Sequence, residues 1–117
     1  MSLIHNDLEI VAQVMAMLRK DYKHHLSHAK LANRFSISES KLRKIFKLVT
    51  GKTINDFLTE VRIEKAKELL CNTDDPIKKI AANVGYDTRN LEKQFKNSTG
   101  VTPLEWRIKN RENRIAS

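Results

Sequence analysis

The sequence has little of what disulfide-bonded, fibrous or turn-rich proteins need. Cysteine occurs once, proline twice and glycine three times in 117 residues. The single Cys71 excludes an intramolecular disulfide and a cysteine-rich zinc site, which is typical of a protein of the reducing cytoplasm. We interpret it as a packing residue rather than a nucleophile. The scarcity of glycine and proline argues against collagen-like, disordered and turn-rich all-β classes.

Membrane and catalytic signatures are also missing. No stretch approaches the roughly 20 apolar residues of a membrane span, and no basic region followed by an apolar run predicts a signal peptide. The sequence has no phosphate-binding glycine loop, nucleophile elbow or paired-carboxylate motif, so we predict neither an enzyme nor a cofactor. His24 and His28 have a helical metal-ligand spacing, but Ser27 is expected to break the helix there. No carboxylate or cysteine completes a site, so no metal is predicted.

Positive charge is what the chain has in excess. The net charge is +8, from 22 Lys and Arg against 14 Asp and Glu. Such a balance suggests a polyanionic partner, either nucleic acid or an anionic membrane surface. Residues 51–86 sum to zero, with six basic and six acidic side chains. Residues 36–50 carry +3, from Lys41, Arg43, Lys44 and Lys47 less Glu39. A charge that served solubility alone would not need to avoid the middle of the chain.

Apolar periodicity and capping signals predict an all-α fold of seven helices without a convincing strand. The helices are expected near 7–23, 28–34 and 38–50, from Thr53 to Asn72, from Pro76 to Gly85, near 87–98, and from Pro103 onward. The stripe of the first helix is predicted to consist of Leu8, Val11, Ala12, Met15, Leu18 and Tyr22. The inward face of the third is predicted to consist of Leu42, Ile45, Phe46 and Val49. Residues 109–117 are polar and are expected to fray.

Capping residues set the predicted boundaries. Ser27 is expected to cap the second helix, Ser36 or Ser38 the third, and Asp87 or Thr88 the sixth. Asp75 is expected at the cap of the fifth helix, with Pro76 at its first helical position. The last helix is predicted to open with a capping box from Thr102 to Glu105. Gly51 and Gly100 are expected to end helices in the left-handed conformation.

The chain matches itself when it is shifted by 49 residues, which indicates one supersecondary unit present twice. Nine identities fall in a 24-residue window without a gap, against roughly one or two expected by chance. The identical pairs are Lys30 with Lys79, Ala32 with Ala81, Leu42 with Leu91, Lys44 with Lys93, Phe46 with Phe95, Lys47 with Lys96, Thr50 with Thr99, Gly51 with Gly100 and Thr53 with Thr102. Conservative pairs extend the match, among them Ile37 with Tyr86 and Phe57 with Trp106.

Each copy has the composition of a helix-turn-helix. A short helix containing an alanine leads into a tight turn, which contains Ser36 in one copy and Gly85 in the other, and a second capped helix follows. The small alanine lets the two helices cross closely, and such turns often contain glycine. Two units of this kind in a basic protein predict binding to duplex DNA.

The second helix of each copy has a basic outer face. At about 100° per residue, Ser40, Arg43, Lys44 and Lys47 fall opposite the apolar side in the first copy. In the second copy, Leu91 and Phe95 face inward, and the outer face holds Arg89, Glu92, Lys93 and Lys96. Arg can bind guanine with two hydrogen bonds, Lys can reach guanine or phosphate, and Ser can bond to several base edges. These faces are therefore predicted to read two successive segments of the major groove.

The long helix between the copies has a suitable length to separate them on DNA. About 19 residues at ~1.5 Å each span ~28 Å, close to the ~34 Å between major-groove segments on one face of B-DNA. Two alternatives remain open. A membrane-surface helix would need an exposed apolar face beside its basic one, and a protein-interaction bundle would bind DNA without the steep salt dependence of phosphate contacts.

A longer pattern runs through the second half of the chain. It consists of Phe57-Leu58, Arg62-Ile63, Ala66, Leu69-Leu70, Asp75-Pro76-Ile77, Ile80-Ala81, Val84-Gly85-Tyr86, Phe95-Lys96, Gly100, Thr102-Pro103 and Trp106-Arg107. With this pattern, residues 7–108 resemble the DNA-binding domain of the AraC/XylS family of bacterial transcription regulators, activators among them. Three features depart from the family. Ser36 replaces a common glycine, Trp106 replaces a usual tyrosine, and the spacing from Gly85 to Phe95 is one residue short.

The resemblance implies a monomeric unit that contacts double-stranded promoter DNA, with RNA polymerase as a candidate second partner. Two homeodomain-like helix-turn-helix lobes over 7–52 and 74–108 would be joined by a linker helix over 53–73, and a polar tail would follow over 109–117. Base reading would fall on Ser40, Arg43, Lys44, Arg89, Asn90 and Lys93. Phosphate contacts would fall on Lys41, Lys47 and Lys96. Relatives often have a preceding ligand-sensing or dimerising domain, so an excised domain and a small stand-alone regulator are both compatible with the sequence.

Overall fold

The computed structural model describes residues 5–116, and side chains within 6–111. The seven helices are α1 His5–Lys20, α2 His28–Arg34, α3 Glu39–Thr50, α4 Ile54–Asn72, α5 Ile77–Asn83, α6 Thr88–Thr99 and α7 Pro103–Ala116. This part of the chain contains no strand. The predicted all-α fold of seven helices is therefore confirmed.

The chain divides within α4 into two compact units, the first ending at Leu58 and the second beginning at Thr59. In the first unit, α1 and α2 pack against α3; in the second, α5 and α7 pack against α6. The first core is made of Ile10, Val11, Val14, Leu18, Leu31, Ala32, Leu42, Ile45, Phe46, Ile54 and Phe57. The second is made of Ile63, Ala66, Leu70, Ile80, Ala81, Val84, Leu91 and Phe95. In each unit, the second helix of the helix-turn-helix thus packs against a separate core.

The internal repeat is present in the packing as well as in the sequence. In the first unit the rings of Phe46 and Phe57 meet edge to face, with centroids 5.6 Å apart and planes at 86°. In the second, the equivalent Phe95 and Trp106 meet at 6.0 Å and 80°. An aromatic edge directed at an aromatic face is a favoured arrangement, because the ring quadrupoles then attract. Each unit therefore fixes its helix, α3 or α6, through an aromatic contact between residues at equivalent positions of the repeat.

Equivalent threonines close α3 and α6. The Thr50 hydroxyl lies 2.8 Å from the Phe46 carbonyl oxygen and accepts a hydrogen bond from the Lys52 N–H at 3.1 Å. The Thr99 hydroxyl lies 2.8 Å from the carbonyl oxygen of Phe95 and accepts from the Val101 N–H at 3.3 Å. The glycines that follow both threonines adopt left-handed φ angles of 77° and 85°. Both helices therefore end by the same device, as the repeat predicts.

The turn of each helix-turn-helix requires one residue with positive φ. Ser36 has φ 56°, and its equivalent Gly85 has φ 90°. The turn then closes through matching backbone bonds, from the Ile37 N–H to the Ala32 carbonyl at 3.1 Å and from the Tyr86 N–H to the Ala81 carbonyl at 2.9 Å. A side chain in the left-handed region is strained against its own backbone, whereas glycine is not. The first turn is therefore built with the less suitable residue.

Replacing Ser36 by glycine should stabilise the protein. The strain of the left-handed serine outweighs the extra entropy that glycine gives the unfolded chain, and the free energy of unfolding should rise by about 0.5–1 kcal/mol. Urea denaturation followed by circular dichroism measures the difference. The matched control is Gly85→Ser, which should lower the stability. A Ser36→Gly variant less stable than the parent would show that the serine side chain compensates its strain.

Polar caps begin the helices as predicted, and they settle which candidate acts. The Ser27 and Ser38 hydroxyls accept from the N–H groups of Lys30 and Lys41, at 3.4 and 3.0 Å. The Asp87 carboxylate accepts from the Asn90 N–H at 2.7 Å. Side-chain acceptors at these positions satisfy N–H groups that lack a helical partner. Ser38 rather than Ser36 therefore caps α3, and Asp87 rather than Thr88 caps α6.

The capping box of α7 is confirmed. The Glu105 N–H donates to the Thr102 hydroxyl at 3.2 Å, and the Thr102 N–H donates to Glu105 Oε1 at 3.3 Å. Hydrogen bonding of Thr102 to the Glu105 carboxylate, by its hydroxyl first and by its backbone N–H second, holds the pKa of Glu105 below its usual value. The box therefore favours the ionised carboxylate at the helix start.

Several local predictions are wrong. The first helix ends at Lys20 rather than near residue 23, because the Asp21 carbonyl accepts from the His24 N–H in a turn. Its predicted stripe is confirmed at Val11 and Leu18, which are fully buried. It is wrong at Leu8 and Ala12, which are exposed, and it left out Ile10 and Val14, which are buried. Apolar residues lie on several sides of this helix, and packing against α3 decides which are buried.

Three further boundaries and faces differ from the prediction. Val49 is 37% exposed rather than inward-facing, because it lies beyond the arc of α3 that contacts the core. Pro76 occupies the cap of α5 and Ile77 begins the helix, so Asp75 is not the cap. Residues 109–116 continue α7 to Ala116, whereas the sequence predicts that 109–117 fray; Ser117 lies outside the described residues.

Two arginines of α7, Arg107 and Arg111, contact the C-terminal end of α4 and the residues that follow it. Arg107 Nε donates to the Leu70 carbonyl at 3.1 Å, and its Nη2 donates to the Thr73 carbonyl at 3.3 Å. Arg111 Nη1 binds Asp74 at 2.8 Å, and its Nη2 donates to the Thr73 carbonyl. Cations are favourable at a helix C-terminus, where carbonyl groups lack partners. These two positive charges therefore serve the end of α4.

Candidate nucleic-acid interface

The α3 helix separates an apolar face from a polar one. Leu42, Ile45 and Phe46 are fully buried. The predicted residues Ser40, Arg43, Lys44 and Lys47 are all exposed. Leu48 is also on the surface, 56% exposed, and lines a shallow groove with Arg43, Lys44 and Lys47. Three cations close together on one helix surface create a positive field that attracts a polyanion.

Lys41 differs from its neighbours, because it is partly committed to the fold. Its Nζ lies 3.4 Å from Oδ1 of Asp7, a carboxylate with a side chain only 3% exposed. The Lys41 side chain itself remains 37% exposed. A buried carboxylate needs a charged or hydrogen-bonding partner to offset its desolvation. Lys41 therefore couples the first turn of α1 to the first turn of α3 while part of its side chain stays exposed.

Arg43 is held by an acidic residue one turn earlier in α3. Its Nη1 donates to Glu39 Oε2 at 3.1 Å, and both side chains are about half exposed. This is the (i, i+4) arrangement in which side chains meet on a helix surface. The guanidinium keeps further N–H donors beyond the one that Glu39 receives. Sequence reasoning missed this pair, although the spacing of four residues could have indicated it.

The α6 helix repeats the arrangement with different side chains. Leu91 and Phe95 are fully buried. The predicted residues Arg89, Asn90, Lys93 and Lys96 are exposed, as is Glu92. The Asn90 backbone N–H is bonded to Asp87, which fixes the first turn of the helix. The two copies therefore share the inward leucine and phenylalanine and two outward lysines. They differ at other outward positions, where Ser40 corresponds to Arg89 and Arg43 to Glu92.

The two histidines with a metal-ligand spacing, His24 and His28, lie before α2 and at its first residue. His28 lies in α2, and its Nε2 is 3.2 Å from Asn55 Oδ1. No group of three or more metal-ligating side chains occurs within residues 6–111. Among residues 5–116, no helix is both long enough and apolar enough to cross a bilayer.

Two short helix pairs, each with a tight turn and an exposed basic second helix, define a tandem helix-turn-helix domain. A family model described as a helix-turn-helix domain matches residues 31–109. The transcriptional activator RhaR of Cronobacter sakazakii is 38% identical over 88 residues, which cover 74% of this chain and 29% of RhaR. The chain thus spans less than a third of that relative's length.

Solved structures agree with this assignment. The C-terminal domain of AraT, a response regulator from Geobacillus stearothermophilus, superimposes with a TM-score of 0.82 at 31% identity, covering 86% of this chain and 84% of that one. The DNA-binding domain of the transcriptional factor AdpA, solved with a target DNA, has the same fold, with a TM-score of 0.84 at 23% identity. It covers 92% of this chain and 97% of that domain. This chain belongs to the AraC-type helix-turn-helix domain family, a family of transcription regulators rather than of enzymes.

Proposed function

We propose that this chain is a sequence-specific DNA-binding domain that regulates transcription by placing α3 and α6 in successive major-groove segments. The observation that carries the proposal is the division of both helices into a buried apolar face and an exposed face with two or more cations. A helix fits the major groove of B-DNA, where the pattern of donors and acceptors is distinct for each base pair. The names of RhaR and other relatives as transcriptional activators support the same role.

Base reading is assigned to the exposed residues of the N-terminal halves, as in other helix-turn-helix proteins. In α3 these are Ser40, Arg43 and Lys44; in α6 they are Arg89, Asn90 and Lys93. Lys47 and Lys96, one turn further on, are assigned to phosphates. Lys41 is a third phosphate contact, which approaches the backbone from the first turn of α3. Contacts to phosphate position the protein, whereas contacts to base edges select the sequence.

The α4 helix has 19 residues, which at ~1.5 Å each give ~28 Å. We assign it the role of fixing the phase and separation of the two readers along DNA. The domain acts as a monomer in the cytoplasm, on promoter DNA, with RNA polymerase as a candidate partner. This architecture requires an asymmetric target, because α3 and α6 present different outward residues to DNA.

The proposal predicts steeply salt-dependent binding. With about eight phosphate contacts, a plot of log affinity against log salt concentration should have a slope of about −7. Fluorescence anisotropy with a duplex selected from a random pool measures this slope between low and physiological salt. In Lys47→Ala the slope should become shallower by about one, with affinity lost for all sequences alike.

Lys67 provides the matched control for Lys47. It lies in α4, paired with Glu64 at 3.1 Å, and its removal changes the net charge by the same amount. Lys67→Ala should leave the slope within error of the parent. A flat salt dependence in the parent protein would contradict DNA binding and favour a protein-interaction bundle.

A further inference from the structure

Glu39 is the one acidic residue among residues 36–50, on the helix proposed to enter the major groove. It occupies the first turn of α3, and its side chain is 42% exposed. A carboxylate placed there is repelled by DNA phosphates, so it weakens binding unless it contributes something else. Its position near the start of the helix is where recognition helices approach base edges.

The start of a helix does not by itself call for both Glu39 and Arg43. Acidic side chains favour helix N-termini, and α6, equally long at 12 residues, meets this preference with Asp87 at its cap and has no arginine four residues later. In the repeat, Glu39 corresponds to Thr88, and its partner Arg43 corresponds to Glu92. The acid and the arginine are therefore present together in one copy and absent together from the other. This pairing indicates a shared task rather than a structural need of the helix.

We propose, resting on the DNA-binding function above, that Glu39 and Arg43 together read a guanine and a cytosine within one base step of it. Glu39 Oε2 holds Arg43 Nη1 and so fixes the plane of the guanidinium. The remaining N–H groups of Arg43 bind the N7 and O6 acceptors of guanine. Glu39 Oε1 accepts a hydrogen bond from the N4 amino group of cytosine, which is the base edge that a carboxylate selects. Glu39 is thus a specificity-determining residue.

The test uses Glu39→Gln in the full chain, which removes the charge and keeps the size of the side chain. Binding is measured on the duplex selected by the parent protein and on duplexes that carry every single base-pair substitution. Discrimination in favour of cytosine should fall about 5- to 100-fold at one position and stay unchanged elsewhere. Arg43→Ala should relax the neighbouring guanine position, and in the double variant the losses should be smaller than the product of the single losses.

Glu64→Gln is the matched control, because Glu64 pairs with Lys67 on α4 and its substitution changes the net charge equally. It should leave all base preferences unchanged. If Glu39→Gln instead tightens binding to every duplex by the same factor, its role is general repulsion and base reading by Glu39 is overturned. If the parent protein itself shows no sequence preference, the proposed function fails. That result differs from one in which the parent is selective and Glu39→Gln changes the affinity for all sequences equally.

Discussion

Phe46→Ala should lower the free energy of unfolding by about 3–5 kcal/mol, the usual cost of removing a fully buried ring. Phe46 is 0% exposed and meets the Phe57 ring edge to face. Because the substitution removes both the buried area and the aromatic contact, it weakens the packing of α3 in the first unit. Urea denaturation gives the size of the loss. Amide hydrogen exchange should show the loss of protection in α1, α2 and α3.

Two control variants locate the effect. Leu48→Ala lies on the same helix with a side chain 56% exposed, and it should change stability by no more than about 0.5 kcal/mol. Phe95→Ala removes the equivalent ring of the second unit, which meets Trp106, and should lower protection in α5, α6 and α7. Equal losses in Phe46→Ala and Leu48→Ala would contradict the assignment of Phe46 to the core.

The internal repeat explains why so much of this fold could be predicted. Positions that recur after 49 residues are those that both units need, so the sequence alone assigns Phe46 and Phe95 to the core. The outward faces of α3 and α6 followed from the same register, since inward residues fix the direction of the outward ones. The roles of those outward residues on DNA remain predictions.

Contacts between distant residues were beyond the reach of the sequence. Arg107 reaches carbonyl groups at the end of α4, more than 30 residues earlier, and local periodicity carries no information on such a contact. Asp7 is buried, although aspartate is normally exposed; its partner Lys41 comes from another helix. The face of α1 could not be predicted either, because its apolar residues fit more than one stripe.

Inserting one alanine after Glu60 should abolish specific binding while leaving non-specific binding in place. Glu60 lies in α4 between Phe57, which belongs to the first core, and Ile63, which belongs to the second. One added helical residue turns everything beyond it by about 100° and moves it by ~1.5 Å. The rotational relationship that α3 and α6 have in the native chain is then lost. Affinity for the selected duplex should fall towards the non-specific value, which is typically about 10³- to 10⁷-fold weaker.

The control is the substitution Glu60→Ala without insertion. It places an alanine at the same point of α4 and keeps the register, so it should retain specific binding. By circular dichroism, the inserted variant should have the same helix content as the parent, since alanine is the strongest helix former. At low salt its affinity for an unrelated duplex should match the parent's, because phosphate contacts do not depend on register. If the inserted variant bound the selected duplex as tightly as the parent, each unit would bind without regard to the other. The role of α4 in fixing their phase would then be refuted, although α3 and α6 could still act as separate readers.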